Sequence, residues 1–221
     1  STFAMQLSCL TNKVIAHVHE PTSWRGGKLI PLYKGKGSPH EATSFRSIFI
    51  SDFTAKVYHA CLRKPLEQNW SAGLHSMQFG GRAGCGVDLP HHFLQMHQCW
   101  ARHLKKPAAI VFFDMKAAFY SVLRQALTSC KDTSNAFQFA MHQLGLSDAE
   151  VGDILQAVAH ENAVEGVTQH VERLVHDTMS GTYFTVEGID SPVVTHKGTR
   201  PGDPIGDLLF NLTMSQILAE M

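Results

Sequence analysis

At 221 residues, 44% hydrophobic and 17% charged, the chain is long enough to bury a core and too apolar to be disordered. Its 19 basic and 19 acidic side chains cancel, yet unevenly: residues 1–131 carry 16 Lys/Arg against 6 Asp/Glu, +10, and residues 132–221 carry 3 against 13, −10. Five cysteines (Cys9, Cys61, Cys85, Cys99, Cys130) without paired spacing argue against a disulfide scaffold and read as reduced thiols of an intracellular protein.

A basic half of that size suits a polyanion such as nucleic acid. The first 20 residues have a weak helical pattern and no capping signal, with neither a secretory leader nor an apolar run of membrane-spanning length. "WRGGKLIPLYKGKGSP" (24–39) predicts a short strand over Leu29–Tyr33, framed by Gly pairs and followed by a Gly-Lys turn. "SFRSIFISDFTAKVYHACLRKPLEQNW" (44–70) predicts a strand at Ile48–Ile50 and then a helix with Val57, Cys61 and Leu62 on one face. After the glycine-rich "QFGGRAGCGVD", Asp88 is placed to cap a helix running to about Lys105. On that helix Phe93, Trp100 and Leu104 share a spacing that predicts core. The glycine-rich loop itself matches no P-loop or dinucleotide fingerprint; it reads as a loop beside a template path or as a simple connector.

"AAIVFFDMKAAFYSV" (108–122) sets Asp114 at the end of six apolar residues. This predicts a buried strand that ends in a carboxylate, with a helix continuing through Leu127; such a strand end is a common place for a metal ligand or an acid/base group, or for a helix cap. "SDAEVGDILQAV" opens with the capping-box pair Ser147 and Glu150, and Val151, Ile154, Leu155 and Val158 follow at helical spacing. "GTYFTVEGIDSPVVTHKG" predicts a β-hairpin that turns near Gly188–Pro192. In "GTRPGDP" (198–204), Asp203 is a candidate N-cap and Pro204 a first-turn residue of a final apolar helix, whose N-terminus offers amides to an anion. The 14 histidines include His91, His92, His97 and His103 near Cys99, but no second ligand pair at zinc spacing.

A strand-end carboxylate, a Gly-rich helix start and separate Lys34, Lys36 and Arg46 hooks are parts that phosphoryl transfer uses. In order along the chain, "LIPLYKGKGS", "SFRSIFISD", "QFGGRAG", "VFFDMKAAFYSV" and "KGTRPGDPIGDLLFN" resemble the fingers and palm motifs of reverse transcriptases of the non-LTR retrotransposon type, over about residues 22–221. The resemblance implies an α+β fold of right-hand polymerase type: fingers over 1–105, and a partial palm over 106–221 with interleaved fingers helices around a split βαβ-like sheet. It implies that Asp114 is the first catalytic aspartate and binds two Mg²⁺ ions with the Met115 carbonyl. Lys34 (or Lys36) and Arg46 would hold the triphosphate, Phe119 would exclude a 2′-hydroxyl, and Gly202 would lie beside nucleotide and template. RNA template, DNA primer, deoxynucleoside triphosphates and a larger polyprotein are the implied partners, with no membrane. Pro201 stands where the family has Gln, and Tyr120 where it often has Asp. The Asp-Asp hairpin that completes the family's site is expected downstream of Met221. An alternative reading is a non-catalytic nucleic-acid-binding module or a decayed retroelement fragment.

Overall fold

Short apolar runs on either side of a Gly-Lys turn close into a hairpin: β1 (Gly26–Tyr33) pairs antiparallel with β2 (Phe45–Ser51), with Ile30 opposite Ile48 and Leu32 opposite Arg46. The computed structural model describes residues 2–70, 74–82, 84–115, 117–128, 141–142, 145–159, 162–164 and 166–219. The free edge of β1 takes a parallel partner, β3 (Tyr183–Val186), and β3 pairs antiparallel with β4 (Val193–Val194), giving the order β2-β1-β3-β4. Gly26 and Gly27 permit that double pairing. A Cβ on Gly26 would stand 2.2 Å from the Tyr183 ring, and one on Gly27 2.3 Å from the Ile50 carbonyl oxygen.

Seven helices accompany the sheet among the described residues: α1 (Thr2–His17), α2 (Phe53–Trp70), α3 (Asp88–His103), α4 (Ala118–Ser121), α5 (Asp148–Ala159), α6 (Gln169–Met179) and α7 (Gly206–Ala219). The whole is an α+β arrangement around one mixed sheet, and no described helix is long and apolar enough to cross a membrane. The principal core joins Leu62 and Leu66 of α2, Leu174, Val175 and Met179 of α6, and Leu208, Leu209 and Leu212 of α7, with Trp24 stacked on Tyr58 at 5.5 Å. A smaller cluster gathers Met141, Val151, Leu123, Leu146 and Leu155. The Ser147–Glu150 capping box forms as the spacing predicts, Ser147 N donating to Glu150 Oε2 at 2.8 Å. The hairpin around Gly188–Pro192 forms as well. The side chain of Val158 and all of Cys130 lie outside the described residues.

Several expectations need correction. Residues 106–115 form no strand, and Val111, Phe112 and Phe113 are 69%, 81% and 86% exposed. Among the described residues no strand lies alongside them, and an apolar run without a ladder partner has nothing to hold it extended. The helix predicted through Leu127 stops at Ser121, because Gly198 N takes the Val122 carbonyl at 2.7 Å and Thr199 N takes the Phe119 carbonyl at 2.8 Å. Those acceptors are thereby withdrawn from any i→i+4 ladder. Arg124–Ala126 follow as a single 3₁₀ turn.

On α3, Asp88 is the first helical residue and makes no side-chain cap, Val87 holding the cap position. Phe93, Trp100 and Leu104 are 48%, 64% and 40% exposed where core was expected, because the face of α3 that turns inward is the one carrying Ala101. On α2 the buried positions are Ala55, Tyr58, His59, Leu62 and Leu66, which leaves Cys61 exposed on the opposite side. Asp203 and Pro204 precede the last helix, which begins at Gly206, so Asp203 caps a preceding turn: its Oδ1 accepts from Ile205 N at 3.0 Å.

Candidate active site

The β1–β2 turn presents the two cationic hooks differently. Lys34 follows β1; its backbone N donates to the Ser44 carbonyl at 2.9 Å and its Nζ to the Thr43 carbonyl at 2.7 Å. Lys36, between Gly35 and Gly37 at φ +74° and +85°, is exposed and without a partner among the described residues. Arg46 is likewise exposed and unpaired, on the β2 face that carries Ile48 and Ile50, themselves 45% and 49% exposed. The guanidinium fork is therefore free for an external anion.

Asp114 and Met115 lie in the exposed 106–115 segment. The Asp114 carboxylate has no hydrogen-bond or ion-pair partner among the described residues. A carboxylate and a carbonyl are hard oxygen donors of the kind Mg²⁺ takes, so the pair fits a single ion whose remaining ligands come from phosphate and water. Among the described residues no group of three His, Cys, Asp or Glu side chains stands close enough to hold a metal, and a second ion finds no further carboxylate there.

Phe119 is better held. It sits on the short α4, entered through Ala117 at φ +53°, and its ring packs on Phe210 of α7 with centroids 4.5 Å apart. Its carbonyl and that of Val122 are the two acceptors gripped by Thr199 N and Gly198 N. Only glycine allows this approach: at φ +83°, a Cβ on residue 198 would lie 2.8 Å from Tyr120 Cα and 3.0 Å from the Phe119 oxygen. Four residues on, Gly202 (φ +84°) is exposed, and a Cβ there would lie 3.7 Å from the Phe49 carbonyl of β2. The structure thus draws Phe119, the 198–202 loop and the β2 backbone together, Tyr120 Oη donating to the Ser47 carbonyl at 3.4 Å, while the Arg46 side chain stands with Ile48 and Ile50 on the strand face opposite Phe49. Asp114 and Met115 are tied to that group by sequence only.

Beneath the loop lies a buried charge network. The ring of His59 is fully buried, donating from Nδ1 to Asp203 Oδ2 at 2.7 Å and from Nε2 to Glu20 Oε1 at 2.6 Å. Two carboxylate acceptors require both ring nitrogens to carry protons, which is the imidazolium. Burial opposes that charge, but the hydrogen bonds to Asp203 and Glu20 outweigh it and raise the His59 pKa. For Asp203, burial is likewise outweighed, by His59 and Arg200, and its pKa is lowered. Arg200 donates from Nη1 to the Trp24 carbonyl at 2.9 Å and stands 3.8 Å from Asp203. On the same surface of the core, Arg25 joins Asp177 at 2.6 Å and the Ser180 carbonyl at 2.7 Å, fixing the start of β1 to the end of α6.

Sequence reading did not reach His59, Arg124 or Phe210. The trace of His59 was one polar residue inside the apolar stripe Ala55, Tyr58, Leu62 and Leu66; buried there, it must find partners. Arg124 in "SVLRQALTS" carries the same kind of trace. Comparison with known proteins finds no matching family model and no matching curated protein.

Proposed function

We propose that this chain is the fingers and part of the palm of an RNA-directed DNA polymerase of the non-LTR retrotransposon type, which adds deoxynucleotides to a primer 3′-hydroxyl on an RNA template. The observation that carries the reading is the convergence of three separated segments: β2 with Arg46, the α4 turn with Phe119, and the loop with Gly202. A nucleotide needs a wall beside the sugar and a close-approaching backbone, which this reading assigns to Phe119 and the Gly202 loop, and a cationic hook, which it assigns to Arg46 by its place on β2.

In this reading Arg46, with Lys34 or Lys36, binds the triphosphate, and Lys36 is the lysine whose ammonium has no competing acceptor. The Phe119 ring stands against C2′ and leaves no room for a hydroxyl, its position set by Phe210 and Thr199. Gly202 lets nucleotide and template approach the backbone. Asp114 and the Met115 carbonyl would hold the Mg²⁺ that accompanies the triphosphate, and that ion would neutralise phosphate charge. RNA template, DNA primer and deoxynucleoside triphosphates are the partners, within a larger polyprotein.

A second reading, a nucleic-acid-binding module without catalysis, is favoured by one observation: the described residues supply donors for one ion only. Binding of Mg²⁺–dGTP and Mg²⁺–GTP to the chain on a primer–template distinguishes the two. A deoxynucleotide preference lost in Phe119→Ala, with triphosphate affinity reduced in Arg46→Ala, is expected for the polymerase. Duplex binding that ignores nucleotide, with both variants like wild type, leaves the second reading.

A further inference from the structure

Arg124 is a charged residue inside the fold for which the nucleotide site as described has no use. Its guanidinium has five N–H donors, and five bonds are made. Nε donates to the Gly198 carbonyl at 2.9 Å; Nη1 to the carbonyls of Met179 at 2.7 Å and Thr195 at 2.9 Å; Nη2 to Thr195 Oγ1 at 3.1 Å and the Lys197 carbonyl at 3.0 Å. Burial, helped by the neighbouring Arg200 charge, brings its pKa down to about 10, so the group stays charged near neutrality. Among the described residues no carboxylate balances it. The charge is solvated by carbonyl dipoles, four of its five acceptors being backbone oxygens.

Three of those carbonyls belong to Thr195, Lys197 and Gly198, the entry of the loop that reaches Gly202. The same stretch returns two amides to the segment that carries Arg124 itself: Gly198 N to the Val122 carbonyl and Thr199 N to the Phe119 carbonyl. The two segments therefore hold each other by a reciprocal set of bonds, side chain to loop backbone and loop backbone to the Phe119 turn. Phe210 packs on the ring of Phe119. The backbone of Phe119 is held by the loop, and the loop is held by Arg124.

We infer that Arg124 is the positioning residue for sugar selection: it fixes the loop whose Gly198 and Thr199 amides set where the Phe119 ring stands against the nucleotide. This rests on the polymerase reading proposed above. Lysine cannot replace it, because an ammonium has three donors on a point charge and does not reach a fan of five acceptors.

The test uses the full chain with a primer–template and two readouts. Amide exchange at Gly198 and Thr199 reports the clamp, and the ratio of Mg²⁺–dGTP to Mg²⁺–GTP affinity reports the function. In Arg124→Lys, exchange at both amides is expected to rise about tenfold or more, as for the loss of a stabilising hydrogen bond, and the deoxynucleotide preference is expected to fall to the level of Phe119→Ala. Thr195→Val removes the Oγ1 acceptor of Nη2 together with its bonds to Thr182, and Thr182→Val, which leaves that acceptor in place, is its control; if Arg124→Lys does not fold, a shift of both readouts, smaller and in the same direction, in Thr195→Val beyond that in Thr182→Val supports the inference, and equal shifts overturn it. Unchanged exchange overturns the clamp. Raised exchange with a wild-type sugar preference makes Arg124 structural only and overturns the positioning role. A wild-type chain that binds neither nucleotide overturns the polymerase reading, and this inference with it, while a wild-type preference that Phe119→Ala abolishes and Arg124→Lys leaves intact is the failure of the inference alone.

Discussion

The two segments that carry the candidate chemistry are held in opposite ways. The loop from Gly198 to Asp203 is fixed from every side, by Arg124, by the Phe119 and Val122 carbonyls, by Trp24 through Arg200 and by His59 through Asp203. The Asp114 segment is fixed by nothing among the described residues, and three successive apolar side chains before the carboxylate face water. Both stretches contain an acidic residue beside apolar neighbours. What separates them is whether other elements supply partners, which a residue's own surroundings in sequence do not reveal. A carboxylate with three partners is a structural group; one with none is open to a ligand.

The largest expected effect tests the fixed side. Asp203→Ala takes from the buried His59 one of its two carboxylates and from Arg200 the negative charge 3.8 Å away, and is expected to lower the unfolding free energy by about 3–5 kcal/mol. Urea denaturation measures it. A loss below about 1 kcal/mol would mean that the network is hydrated and Asp203 no more anchored than Asp114.

Next in size are the two loop glycines. Gly198→Ala meets both a positive φ and a backbone 2.8 Å away, for an expected cost of about 2–4 kcal/mol. Gly202→Ala has the same sign of φ but space around it, for an expected cost of about 1 kcal/mol. Equal costs would show that close packing at Phe119 and Tyr120 plays no part in holding the loop.

The pH dependence is smaller over the neutral range and has two limbs. The contribution of His59 is complete below its unfolded value of 6.5 and is lost as pH rises through its raised folded pKa. That of Asp203 is complete above 3.8 and is lost as pH falls through its lowered folded pKa. The network is therefore expected to stabilise most between 3.8 and 6.5, and His59→Gln should flatten the alkaline limb. An alkaline limb identical in wild type and variant rules out the imidazolium.

Asp114→Asn is the smallest perturbation of the fold: no measurable change in Tm is expected, since the carboxylate has no partner to lose among the described residues. Its effect belongs to Mg²⁺-dependent nucleotide binding, which it should abolish, while the wild-type chain, with donors for one ion, is expected to give no template-directed extension. A clear drop in Tm would place Asp114 in contacts of the kind that hold Asp203.

Local patterns carried much of this fold. The Gly-Lys turn between β1 and β2, the Ser147–Glu150 cap and the Gly188–Pro192 hairpin each depend on residues a few positions apart, and each was legible. The strand before Asp114 was read from its apolar run alone, yet a strand is made by its neighbour, and none stands beside it among the described residues. Trp100 misled for a related reason: helical spacing identifies a face without saying what covers it. Of the candidate site, Arg46, Phe119 and Gly202 were found as residues, while the contacts that relate them pass through Arg124, His59 and Phe210. Those contacts join positions tens to more than a hundred residues apart, such as His59 to Asp203, and no spacing rule spans such distances.

The parallel pairing of Gly26 with Tyr183 has a kinetic side. During synthesis, at about 5–20 residues per second, β1 and β2 emerge early and zip locally, but the strand that covers the inner edge of β1 arrives some 150 residues later. For that interval the nascent sheet carries an open edge flanked by exposed Ile30, Leu32, Ile48 and Ile50, the kind of template on which chains associate wrongly. A chain severed at residue 131 would keep this edge bare permanently. The positive half of the molecule thus depends on the acidic half for the strand that closes its sheet.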